Sequence, residues 1–345
     1  MNTKIFKITP DSIDAQAIES CAEIIKKGGL VAFPTETVYG LGADATDSDA
    51  AQKIYAAKGR PSDNPLIIHI AEPSDAERYA HTSELYYKLA KAFMPGPLTV
   101  ILKKKDIIPS SVTGGLDTVA VRCPSHEIAR ALIKSADVAI TAPSANISGS
   151  PSPTTGTHVI SDMSGRIDAI IDGGSSEIGL ESTIVKLEGD TAIMLRPGAI
   201  TADALGCVCE KVEIAAAVTE LLGENERPLS PGMKYKHYAP TSPLILLEGD
   251  ASAVEEFLVR AQKNENCAIL CYSEEKQLLD SKNLIDVGAR EDLATQAQTL
   301  FAALRETNSM GVDVIYAHLP TQSGLGLALY NRLIRAAAHT VKHID

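Results

Sequence analysis

The chain has 345 residues and a formal charge of −12, with 45% apolar and 22% charged residues. That balance excludes a largely disordered chain, and the length suffices for two ordinary domains with cores of their own. The acidic total argues against broad nucleic-acid coating, and the lack of Trp with only 4% aromatics argues against a stacking platform for single strands, although a local basic cleft stays open.

Along the chain, apolar residues recur at helical spacing over 13–28 and Gly28-Gly29 ends the run. A short buried strand follows at 30–33, then a polar, glycine-hinged loop at 35–42. Asp47 or Ser48 caps a helix running through Ala57, and residues 66–70 form a strand. A helix over 83–93 is stopped by Met94-Pro95-Gly96-Pro97. Strands are expected at 99–102 and 118–122, a helix at 126–135, and a strand at 138–141 leading into the loop Ser144-Ala145-Asn146. Further strands at 169–172, 182–187 and 192–196 complete an α/β or α+β domain ending near residue 205.

A short helix is expected at 211–222. The proline-rich segment 223–243 then reads as an extended linker, residues 206–242 overall separating the two domains. Its cluster of Tyr235, Tyr238, Lys234, Lys236 and His237 suggests that it touches the site. From 243 to 345 strands at 244–247, 268–272 and 312–316 alternate with helices at 251–261, 292–307 and 327–341, a small open α/β domain with a parallel sheet.

No run of about 18 apolar residues occurs, so no membrane span is expected. Residues 1–7 lack the long apolar stretch of a secretory signal, and a cytoplasmic protein is expected. The six cysteines form no Cys-x-x-Cys pair, so they read as free thiols rather than a zinc site.

The residues that point to chemistry are short polar segments at strand and helix ends. No Walker phosphate loop is present, and Gly40-Leu41-Gly42 is too short for a dinucleotide fingerprint. Lys58-Gly59-Arg60-Pro61 offers a compact cation and a planar fork that suit a polyphosphate, but also suit a solvated helix C-terminus. The 144–146 loop follows a strand, where ligands bind in α/β sheets, or is a simple Ser/Asn turn. Arg122 ends an apolar strand and needs an anionic partner. His69 alternates with Ile68 and Ile70, and Arg196 closes another strand. Asp44, Asp47 and Asp49 read as caps. No nucleophile triad is evident. A site of cations, hydroxyls and amides works by positioning and charge stabilisation, the demands of nucleotidyl transfer.

Taken in order, the motifs are residues 33–42 (FPTETVYGLG), Lys58-Gly59-Arg60-Pro61, Asn64-Pro65-Leu66, Pro95-Gly96-Pro97, Val121-Arg122-Cys123-Pro124, Ser144-Ala145-Asn146 and Glu181-Ser182-Thr183. They resemble the YrdC-type L-threonylcarbamoyl-AMP synthases. Residues 231–240, Gly324-Leu325-Gly326 and Asn331-Arg332 resemble the two-domain long form of that family. The resemblance implies a twisted α/β sheet domain over 1–205 with a concave basic cavity, a linker over the site, and a smaller Rossmann-like α/β domain over 243–345. It implies L-threonine, bicarbonate or CO2, and ATP with Mg2+ as substrates, and threonylcarbamoyl-AMP, pyrophosphate and water as products. It further implies a downstream transferase that modifies tRNA beside the anticodon.

By that resemblance Lys58, Arg60, Ser62, Thr118, Ser144, Asn146, Ser152, Arg196 and Tyr235 would hold ATP, with Lys58 and Arg60 acting on the phosphates. Thr35, His69, Arg122, Thr141 and Ser182 would line the threonine pocket, and no metal ligand would come from the protein. Three other readings stand beside this one. They are an RNA-binding module, a carbamoyl-handling maturation protein (whose extra zinc-finger and acylphosphatase-like modules have no counterpart here), and a regulator whose second domain senses a ligand.

Overall fold

The computed structural model describes residues 2–220 and 237–345. The chain divides into two compact units. The first comprises 1–148, 152–177 and 181–234; the second comprises 149–151, 178–180 and 235–345.

In the first unit the strands are β1 (Lys4–Lys7), β2 (Val31–Phe33), β3 (Gly40–Asp44), β4 (Ile67–His69), β5 (Ala80–His81) and β6 (Leu98–Lys104). They continue with β7 (Thr118–Arg122), β8 (Ile140–Thr141), β9 (Ala169–Asp172), β10 (Thr183–Glu188), β11 (Thr191–Arg196) and β12 (Lys211–Ile214). They form one mixed sheet in the order β1-β9-β2-β3-β8-β4-β7-β6-β10-β11-β12, with β5 beside β6.

Local chemistry sets the helices. Asp14 Oδ1 accepts from the amides of Gln16 and Ala17 at 3.0 and 3.1 Å and starts Ala15–Lys26, which buries Ala17, Ile18, Cys21, Ala22 and Ile25. Asp47 caps Ser48–Lys58, and that helix stops at Gly59, whose φ of +64° is left-handed. Ser83 caps Glu84–Phe93, which halts ahead of Pro95.

Two apolar cores result. One packs Tyr39, Leu41, Ile54, Ile68, Leu89, Val100 and Val121; the other packs Ile18, Ile25, Phe33, Leu132, Ile140 and Ile171. A small third cluster joins Ile67, Ile101, Ala120, Ile184 and Leu195.

The sequence reading differs from the structure in places. Residues 35–42 read as loop throughout, yet Gly40–Asp44 is a strand between β2 and β8, because Gly42 lets Phe33 and Ile140 close over it. The expected helix at 211–222 is instead β12 followed by a 3-10 turn at Ala216–Val218. Lys211–Ile214 adds in parallel to the open edge of β11, a partner that local pattern does not reveal. The strand Lys4–Lys7 and the helix Gly156–Met163 also carry no strong local signal.

In the second unit β13 (Leu244–Gly249), β14 (Cys267–Cys271), β15 (Leu284–Asp286), β16 (Val314–His318) and β17 (Val341–Ile344) form a wholly parallel sheet in the order β15-β14-β16-β13-β17. Helices Ala251–Asn264, Leu293–Glu306 and Gly326–Ala336 make the crossovers. The expected helix at 327–341 ends at Ala336. Ala338 and His339 adopt φ of +47° and +62°, and the chain turns into β17.

Candidate active site

Register brings the site together. His69 on β4 pairs with Arg122 on β7, Arg122 pairs with Thr99 on β6, and Thr99 pairs with Ile184 on β10. Cross-strand partners share a face, so His69, Arg122 and Thr99 stand in one row. Ser182, just before β10, joins the end of this row: its Oγ lies 2.7 Å from Thr99 Oγ1. Arg196, at the end of β11, donates to Ser182 through Nε (3.0 Å to the carbonyl) and Nη2 (3.1 Å to Oγ).

Arg122 is 4% exposed and His69 3%. Arg122 Nη2 lies 2.8 Å from Glu36 Oε1, an ion-pair contact rather than an aligned hydrogen bond, and 3.5 Å from Thr35 Oγ1. Thr35 donates to the carbonyl of Val38 at 2.6 Å, which folds the 35–38 turn against the row. Thr141 pairs with Ile68 on β4 and with Ala43 on β3, so its register puts it on their face of the sheet, opposite His69, and the expected Thr141 does not join the row; its hydroxyl is buried.

Burial above all, then the charge of Arg122, lowers the His69 pKa from 6.5 to about 3, so the imidazole is neutral at pH 7. Several buried atoms here find no hydrogen-bond partner: His69 Nδ1, Arg122 Nε and both carboxylate oxygens of Glu36. Buried polar atoms are costly when unsatisfied, so a cluster of them marks a place shaped for a polar ligand.

The expected nucleotide-binding residues include a pinned loop. Lys58, last residue of its helix and 2% exposed, donates from Nζ to the carbonyls of Ser144 and Asn146, both at 2.5 Å, and to Asn146 Oδ1 at 3.3 Å. Ser144 Oγ donates to Asn146 Oδ1 at 2.5 Å. The amides of Ala145 and Ser148 bond the carbonyls of Tyr39 and Lys58 at 2.8 and 2.9 Å. Lys58 thus also acts as the clamp that shapes the 144–146 loop. Arg60 is half-buried and bonds the carbonyls of Asn64 and Pro65 at 3.4 and 3.1 Å.

Of the remaining expected residues, Ser152 is buried and donates to Glu181 Oε1 at 2.6 Å. Thr118 opens β7 and is half-buried, and Ser62 is exposed in the turn after Arg60. Tyr235 lies outside the described residues.

Sequence reading did not single out Glu36, Asn64 or His126, each of which carries a buried atom without a hydrogen-bond partner. A carboxylate between two threonines in a segment with no apolar period was the available signal for Glu36.

A Sua5/YciO/YrdC family model, described as telomere recombination, matches residues 23–198, and a model for the threonylcarbamoyl-AMP synthase C-terminal domain matches 200–338. The chain is 44% identical to a threonylcarbamoyl-AMP synthase of Bacillus subtilis, covering 94% of each chain. It is 36% identical to that of Schizosaccharomyces pombe, covering 95% of this chain and 90% of the other. It superimposes on the crystal structure of Pyrococcus abyssi Sua5 complexed with L-threonine with a TM-score of 0.91 at 42% identity, covering 99% and 100% of the two chains.

Proposed function

Since the chain belongs to the threonylcarbamoyl-AMP synthase family, we propose that it condenses L-threonine, bicarbonate or CO2, and ATP into L-threonylcarbamoyl-AMP, releasing pyrophosphate and water. The observation that carries the reading is the buried row of His69, Arg122 and Thr99, whose unsatisfied atoms match what an amino acid brings. The substrate carboxylate satisfies Arg122 Nε. Thr35, Ser182 and the neutral His69 receive its hydroxyl and backbone groups.

On this reading the threonine amine forms an N–C bond to the carbon of CO2, whose C–O π bond opens onto oxygen as the nitrogen gives up its proton; from bicarbonate a C–O bond breaks and that oxygen leaves as water, so either route gives the N-carboxylate. The resulting carbamate oxygen attacks the α-phosphorus of ATP in line. One P–O bond forms, the bond to the bridging oxygen breaks, and pyrophosphate leaves with the electron pair, which makes the enzyme a nucleotidyltransferase. Magnesium enters as part of the ATP substrate. Lys58, Arg60, Arg196, Ser144 and Asn146 hold the nucleotide, with Ser62, Thr118, Ser152 and Tyr235 around it. Positive charge and fixed donors at the phosphates stabilise the transition state.

The mixed anhydride then passes to a transferase that modifies tRNA beside the anticodon. No helix among the described residues is long and apolar enough to cross a membrane, and we place the reaction in the cytoplasm.

The test is incubation with MgATP, bicarbonate and isotope-labelled L-threonine, with mass analysis of the adenylate and L-serine as the control. A threonine-dependent carbamoyl adenylate is the expected product. Release of AMP or ADP without that species would refute the reading.

A further inference from the structure

We propose that the second unit carries a binding site of its own for a small zwitterion, a free α-amino acid, at the carboxyl ends of its parallel strands. The site is independent of the condensation reaction.

The topology puts a crevice there. From β13 the chain crosses β16 to reach β14, whereas from β16 it crosses β13 to reach β17. Adjacent strands therefore send their crossovers in opposite directions, and such switch points are where open α/β sheets bind ligands. A cavity of about 240 Å³ in the first unit lies elsewhere, under Glu72 and Arg78, and is rimmed by surface ion pairs. The switch point of the second unit holds a larger one, about 620 Å³, within the range of small-molecule sites. Its lining includes Glu248 near the end of β13, Tyr272 after β14, His318 at the end of β16, Arg290 and Glu291 from the loop before Leu293–Glu306, and Leu293 at the start of that helix.

The polar groups are held in place. Glu275, with its side chain 1% exposed, contacts Arg290 Nη2 at 3.0 Å and His318 Nε2 at 2.8 Å and accepts from the amide of Tyr272 at 2.9 Å. Burial opposes ionisation of Glu275, but the bond and charge of His318, the Tyr272 amide and Arg290 outweigh it, and its carboxyl stays below the usual range. Tyr272 stacks on His318 at 4.5 Å, and the Arg290 guanidinium lies 4.9 Å from the Tyr272 ring. Arg290 Nη2 also bonds Glu255 at 3.0 Å.

Both side-chain contacts of Arg290 run through Nη2. Among the described residues Nε and Nη1 therefore keep donors; they lie on different edges of the guanidinium, so each offers a carboxylate a single charge-assisted bond rather than a fork. The surroundings decide which anion fits. Glu255 and Glu275 flank the guanidinium and Glu248 and Glu291 line the cavity, so a phosphate or polyanion meets net repulsion. A bare cation meets the guanidinium. A molecule carrying both a carboxylate and an ammonium satisfies the two at once, the ammonium on Glu291 or Glu248. The apolar walls, Leu247, Val254, Leu293 and Leu319, take a side chain.

The experiment is calorimetric titration of the full chain with each of the twenty free L-amino acids, and with the matching deaminated acid and decarboxylated amine. At least one amino acid is expected to bind this site at one equivalent, while its acid and amine analogues do not bind. For L-threonine the total would be two equivalents, one per unit.

Glu291→Gln should weaken this binding about tenfold or more, the loss of one charge-assisted bond, and leave threonine-dependent pyrophosphate release unchanged. Arg290→Gln should abolish it, and Glu291→Gln, at an exposed position, keeps the test independent of the buried ion pairs of Arg290. Absence of any binding beyond the one threonine equivalent of the first unit, binding indifferent to Glu291→Gln, or equal binding of inorganic phosphate would each overturn the proposal.

Discussion

Nη2 of Arg122 stands 2.8 Å from Oε1 of Glu36, and the two side chains are 5% and 4% exposed. Removing one partner of so deep a pair leaves an uncompensated charge, at a cost of about 3–5 kcal/mol. Glu36→Gln should therefore lower the free energy of unfolding by about that amount. The Glu36→Gln/Arg122→Met double variant should lose less than the sum of its singles. Urea titrations of the four proteins give the coupling directly, and an additive cycle would show that the pair does not interact.

Lys58 and Arg60 are proposed to meet the phosphates, yet only Lys58 is locked into the 144–146 loop. Lys58→Ala and Arg60→Ala should each reduce threonine-dependent pyrophosphate release roughly a hundredfold or more, about 2.7–4 kcal/mol of barrier. Lys58→Ala should also lower the melting temperature more than Arg60→Ala, because it strips two carbonyls of 2.5 Å donors from a buried lysine, whereas the half-buried Arg60 makes longer bonds at 3.4 and 3.1 Å. Near-normal turnover in both variants would remove the phosphate-clamp assignment.

Acid should weaken the fold through His69, whose pKa is lowered from 6.5 to about 3 in the native state by burial and by Arg122. The unfolded chain takes up a proton near 6.5 and the folded one does not. This contribution is therefore complete above pH 6.5 and is lost progressively as pH falls toward 3. At about 1.4 kcal/mol per unit, moving from pH 7 to pH 5 should cost the natural protein about 2 kcal/mol that His69→Gln does not lose. Urea midpoints at the two pH values check it, and parallel losses in both proteins would exclude His69 as the source.

Gly42 sits under two side chains of the core. A Cβ there would stand 2.7 Å from Cγ2 of Ile140 and 2.8 Å from Cε1 of Phe33. Gly42→Ala should cost about 1–3 kcal/mol by overpacking, seen as a lower urea midpoint. Gly59→Ala meets no neighbour, and its cost should come only from the left-handed φ of +64°. Equal stability of Gly42→Ala and the natural protein would mean that β3 shifts freely.

Much of the fold was legible where local signals are strong. The helices begun by Asp14, Asp47 and Ser83 have side-chain caps followed by apolar residues at helical spacing, and both kinds of information lie within a few residues. Strand β12 and the end of the last helix were not legible. Lys211–Ile214 becomes a strand because β11 offers an edge, and the helix stops at Ala336 because the chain must return to pair with β13. Glu36 escaped notice for a related reason: its significance lies in Arg122, 86 positions along the chain.

Ordered short motifs were enough to reveal the family and its two-domain fold, and to suggest a site made of cations and hydroxyls, because residue types at set spacings survive reading one position at a time. The tertiary structure settled which side chains meet. Strand register set His69, Arg122 and Thr99 in one row, burial made His69 neutral and paired Arg122 with Glu36, and packing turned Lys58 onto the 144–146 loop. Those are properties of distance and dielectric, and both arise only once strands far apart in the chain lie side by side.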